Sequence, residues 1–164
     1  MDRPSTTSTS ACLPASRLPT SRIQAREQAR KQWVDGALQA TQDCGVVFVD
    51  PDNGIGDTAK ASSKNGAKYV LLEELSPYLD RDQTLVIYHH LNRLAPADTQ
   101  IKERMVQARQ SLGESLEIIA SRYHRGSARV FFVVASFGRL DDLKRRAELL
   151  IQSPWSQHFS LISG

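Results

Sequence analysis

Cysteine is scarce in this chain: of 164 residues, only Cys12 and Cys44 are cysteines. With no CxxC pair, a zinc site built on cysteines is excluded and a disulfide framework is not expected. Cys44 reads as a small buried residue. Long apolar runs are also lacking. The longest, VFFVVA, falls far short of the roughly 20 residues a membrane-spanning helix needs. No apolar segment of the signal-peptide kind follows the N-terminus, so no secretory signal is expected and a reducing cytoplasm is the default location. The GxSxG, HExxH and P-loop patterns are missing. Charge is not one-sided either: 21 basic residues face 18 acidic ones, for a net charge of +3 and a pI of about 9.0. That balance permits nucleic-acid contact without arguing for it.

What is present is the composition of a soluble globular domain, 40% hydrophobic and 24% charged. A chain of this length buries roughly 70% of the surface its unfolded form exposes, enough for one core. Residues 1–22, rich in Ser, Thr and Pro, are expected to be disordered. Residues 23–164 then form a single domain. Residues 23–42 have helical spacing, with Ala29, Trp33, Ala37 and Ala40 as the expected buried stripe. VVFV at 46–49 is a short, continuously apolar strand of the kind a parallel sheet buries on both faces. YVLLEELSPYL reads as a short helix and TLVIYHHL as a second strand. A long helix is expected over 98–123, with Met105, Leu112, Leu116, Ile119 and Tyr123 buried. ARVFFVVAS, LDDLKRRAELLIQ and QHFSLIS follow as strand, helix and strand. Alternation of this kind predicts an α/β fold, a mostly parallel sheet with flanking helices.

In open α/β sheets, ligands bind beyond the carboxyl ends of the strands. Two polar clusters stand at such ends: VDPDNG at 49–54 and YHHLNR at 88–93. Asp50, Asp52 and Asn53 are the candidate catalytic residues. Two extended residues lie under about 7 Å apart, so Asp50 and Asp52 can share a divalent ion, and oxygen ligands favour magnesium, manganese or calcium. Pro51 stiffens the strand exit, and Asn53 and Gly54 tolerate positive φ. In the second cluster, alternation puts Tyr88 and His90 on one face and His89 on the other. Asn92 follows the strand, and Arg93 can grip a phosphate with both guanidinium edges. Pro51, Gly54, Tyr88, His90, Asn92 and Arg93 complete the candidate substrate site. His124 is expected to cap the long helix. Glu73 and Glu74 read as acids favoured at a helix start.

Taken together, FVDPDNGIG, KYVLLEEL and TLVIYHHLNR resemble a group of small uncharacterised bacterial and phage proteins with an Asp-Pro-Asp-Asn-Gly motif, over residues 25–164. More distantly, the chain is similar to the C-terminal half of Rossmann-like methyltransferases of the adenine-specific type, in which an Asp-Pro motif closes a strand and holds the target base. That resemblance implies roles for Asp50 and Pro51, nucleic acid or nucleotides as partners, and S-adenosylmethionine as cofactor. The proline and aromatic residue that follow in those enzymes are here Asp52 and Asn53. The glycine-rich cofactor turn has no counterpart before Val46, so the fold is expected to lack the N-terminal strands. Two other functions compete with this one. One is a metal-dependent nuclease or phosphohydrolase using Asp50 and Asp52. The other is a non-catalytic interaction domain of a phage or mobile element, pairing with a second copy or a partner chain along an exposed sheet edge.

Overall fold

The computed structural model describes residues 21–60, 63–126, 128–136, 138 and 140–163. The expected disordered tail falls almost wholly outside them, as does Cys12. The first described residues are ordered differently from expectation: Ser21 is the N-cap of helix α1 (Arg22–Ala40), its hydroxyl accepting from the Gln24 N–H at 3.2 Å. That is the role a serine plays best at a helix start.

The main sheet has five strands: β1 (Val46–Val49), β4 (Thr84–His90), β5 (Glu117–Tyr123), β6 (Arg129–Ala135) and β7 (Phe159–Ser163). Their order is β1-β4-β6-β5-β7. Only β1 and β4 run parallel; β4–β6, β6–β5 and β5–β7 are antiparallel pairs. The fold is therefore α/β with a mixed sheet, and the expectation of a mostly parallel sheet is corrected. The reason is a strand hidden inside an expected helix. Helix α3 (Ala97–Leu112) stops at Gly113, whose φ of 139° no ordinary residue adopts readily. β5 then takes the rest of the segment and forms a hairpin with β6. The apolar residues of EIIASRY fit helical spacing, but Ile118 and Ala120 alternate inward as strand residues do. Because two antiparallel steps restore direction, β5 is parallel in sense to β4, and the carboxyl ends of β1, β4 and β5 share one rim.

A second, two-stranded sheet pairs β2 (Gly54–Gly56) with β3 (Tyr69–Leu71) in parallel and lies against β4. The expected helix over YVLLEELSPYL is thus a strand, a 3₁₀ turn and the short helix α2 (Ser76–Leu79). The main core lies on one face of the large sheet. Leu85, Ile87, Val130, Phe132 and Val134 meet Ile55, Val70, Leu75, Ile101 and Met105 there. On the other face, α4 (Leu140–Gln152) packs over β5, β7 and the end of β6, where Leu143 and Leu161 join Ile119 and Ala135.

Helix α1 does not bury the expected stripe: none of its residues is buried, and Trp33 is 68% exposed. It is held by polar clamps instead. Arg30 makes a bidentate pair with Glu74, with contacts of 2.5 and 2.6 Å, and also donates to the carbonyls of Gly66 and Tyr69. Glu74 in turn accepts the Leu71 N–H at 2.9 Å. At the far end of the helix, buried Gln83 donates to the carbonyls of Thr41 and Cys44. Cys44 itself is exposed, contrary to expectation. His124 caps no helix: it follows β5, and its Nε2 meets Ser160 Oγ at 3.0 Å.

Candidate functional site

The chain leaves β1 at Val49 and turns immediately through residues 50–53 into β2. The turn is fixed by the Asn53 N–H, which donates to the Lys68 carbonyl at 2.9 Å. Gly54 sits at φ 98°, in contact with β4. A Cβ there would lie 2.7 Å from the His89 Cα and on top of its Nδ1, so glycine is required both for its backbone angle and for the close approach. That approach brings the Ile55 N–H to the His89 Nδ1 at 3.0 Å. The bond joins the two polar clusters read from the sequence.

Between this junction and α3 lies a cleft of about 340 Å³. Asn53, Ile55 and Tyr69 border it from the small sheet, and residues 89–92 from the end of β4. Gln100, Glu103, Arg104 and Gln107 line it from α3. Their spacing of three and four puts all four on one stripe of the helix. The stripe lies beside the apolar one of Ile101, Met105 and Ala108, which faces the core.

His89 is buried, and its ring stands 5.9 Å from Phe132. Burial, then the charge of Arg104, then His90, push its pKa down to about 4. With Nδ1 accepting from Ile55, the neutral ring carries its proton on Nε2. Arg104 is half-buried, and burial lowers its pKa while Asp57 and Glu103 raise it; the guanidinium stays charged at any ordinary pH. No described residue hydrogen-bonds to it or approaches within ion-pair distance. The cleft therefore offers a cation, Arg104, and a carboxylate, Glu103, beside a neutral imidazole and a set of amides. Such a wall suits an anionic, hydrogen-bonding ligand.

Of the residues chosen from sequence, Asn53, His90 and Asn92 border the cleft, and Gly54 shapes it. Asn92 also builds the turn after β4: its Oδ1 accepts the Leu94 N–H, while Gln100 bonds both its N–H and its carbonyl. Asp50 and Asp52 are exposed and do not line the cleft, and Asp52 pairs with Lys68 at 3.5 Å. Among the described residues, no three histidines, cysteines or carboxylates gather as a metal-binding group. Pro51 is half-buried outside the lining, and Arg93 is exposed beyond it. Tyr88 faces away from the cleft, its hydroxyl 2.8 Å from the His90 Nε2. Sequence reasoning missed Arg104, Glu103, Gln107 and Tyr69. The signal available for the first three was a polar stripe next to the core stripe of α3.

No protein-family model, curated protein or solved structure matches the chain. Among the described residues, no helix is long and apolar enough to cross a membrane.

Proposed function

We propose that this chain binds nucleotides or nucleic acid through the cleft between the end of β4 and α3. The observation that carries this reading is Arg104, a half-buried guanidinium on the cleft wall with no ion-pair partner among the described residues. A phosphate is the ligand group whose geometry a guanidinium matches best. Asn53 and Gln107 also line the cleft, from the small-sheet side and from α3, where amides can read the edge of a base. Asp50 and Asp52 have no place in the cleft.

The resemblance to adenine-type methyltransferases gives this reading a possible chemistry. Supporting it, Asp50 and Pro51 follow β1 directly, and β4 lies beside β1 in parallel. Asn53 would then hold the target base. Against it stands the missing glycine-rich turn for S-adenosylmethionine. A thermal-shift series separates the two levels of the proposal. AMP, S-adenosylmethionine and a short oligonucleotide are each tested on wild type and Arg104→Ala. A ligand at 100 times its Kd adds about 2.7 kcal/mol, a rise of several degrees in a domain of this size. Nucleotide stabilisation lost in Arg104→Ala supports the cleft, and stabilisation by S-adenosylmethionine supports the methyltransferase chemistry. No shift with any of them at millimolar concentration contradicts the reading.

One observation favours a second reading, an interaction domain of phage or mobile-element type. β1 is an edge strand of the sheet, and its Val46 and Phe48 are 53% and 58% exposed. An open apolar edge of this kind pairs readily with another strand.

A further inference from the structure

The large sheet has an outer face, opposite the core. α4 packs on it against Ile119, Val133, Ala135 and Leu161; Tyr88, Phe131, Tyr123 and Phe159 lie outside that cluster and are half-buried among the described residues. The chain has five phenylalanines, four tyrosines and two tryptophans. Five of these eleven aromatics, Phe48, Tyr88, Phe131, Tyr123 and Phe159, fall on the outer face by strand register. The inner face of the same strands carries Phe132 alone and is otherwise mostly aliphatic. A preference of aromatics for strands would fill both faces alike; here they are segregated to the side that is not the core.

The register also arranges them. Tyr88 pairs with Phe131 across β4 and β6, ring centroids 5.6 Å apart. Tyr123 pairs with Phe159 across β5 and β7 at 5.1 Å. Arg129 lies between the two pairs, opposite both His90 and Tyr123, with its guanidinium 6.0 Å from the Tyr88 ring. The pairs are offset by two residues along the strands and two strands across, about 7 Å by about 10 Å. Bases stacked at about 3.4 Å in a duplex do not match that diagonal, whereas unstacked bases of a single strand can reach it. Exposed Arg93 and Arg125 extend positive charge past the carboxyl ends of β4 and β5.

We propose that the outer sheet face is a stacking platform for single-stranded nucleic acid: bases lie on the Tyr88–Phe131 and Tyr123–Phe159 pairs, and Arg129 meets the phosphates between them. Aromatic platforms interleaved with cations hold single strands in this way with little sequence preference. The site does not rest on the cleft reading: none of its aromatics borders the cleft, although His90, bonded to the Tyr88 hydroxyl, adjoins both.

The test is fluorescence anisotropy with a labelled ten-nucleotide single strand and the matching duplex at low salt. Wild type should bind the single strand more tightly than the duplex. Phe131→Leu keeps apolar volume while removing the π-face, and should weaken binding about tenfold. Tyr123→Leu serves as the second variant if the first unfolds. Equal affinity for duplex and single strand would overturn the proposal, as would single-strand binding indifferent to both leucine variants. A dimer in sedimentation velocity that Phe48→Ser dissociates, with no binding of either nucleic acid, would overturn it in favour of a second copy of the chain on this face.

Discussion

Gly54 concentrates the demands of the site in one residue. Its positive φ and its contact with the His89 backbone leave no room for a Cβ. Gly54→Ala is expected to destabilise the fold by at least about 2 kcal/mol, from backbone strain plus overpacking, and a denaturant titration measures this directly. His89 makes a second prediction. The folded chain holds its pKa near 4, against about 6.5 when unfolded. Between those values the unfolded chain takes up a proton that the folded chain refuses. His89 therefore leaves stability undiminished above pH 6.5, and it erodes stability as pH falls toward 4, by roughly 3 kcal/mol in all. Unfolding curves from pH 7 to pH 4 should show this loss, and His89→Gln should flatten it.

At the scale of elements, α1 is the least conventional part of the molecule. Its attachment depends less on apolar burial than on Arg30 and Glu74, whose side chains are each 15% exposed. Arg30→Ala should cost roughly 2 kcal/mol, because Glu74 loses a charged partner in a half-buried place. It should also speed amide exchange along α1 while leaving exchange in β4 and β6 slow. Such an attachment is hard to read from a sequence. Ala29, Trp33 and Ala37 have helical spacing, but spacing does not say whether anything lies opposite. The strands VVFV, TLVIYHH and RVFFVVA were legible because continuous apolar runs of that length have few other uses. β5 was not legible: its apolar residues fit helical and strand spacing alike, and pairing with β6 decided between them.

The whole molecule gathers at one rim what the chain keeps apart. β1 and β4 run parallel with the 50–53 turn between β1 and β2, so the clusters at 50–54 and 89–92 meet through the bond from Ile55 to His89. That meeting was legible from strand ends alone, because parallel neighbours put their carboxyl ends side by side. The roles within it were not. The aspartates that drew attention in the sequence lie outside the cleft, and its cation, Arg104, comes from a helix whose polar stripe looks like any solvated face. The proposed anion site joins Arg104 on α3 to the 53–55 segment across the cleft. Amide NMR during a titration with AMP tests it most directly. The signals of Ile55 and residues 89–92 should move in wild type and stay still in Arg104→Ala. Shifts confined to other parts of the chain, or identical shifts in the variant, would contradict it.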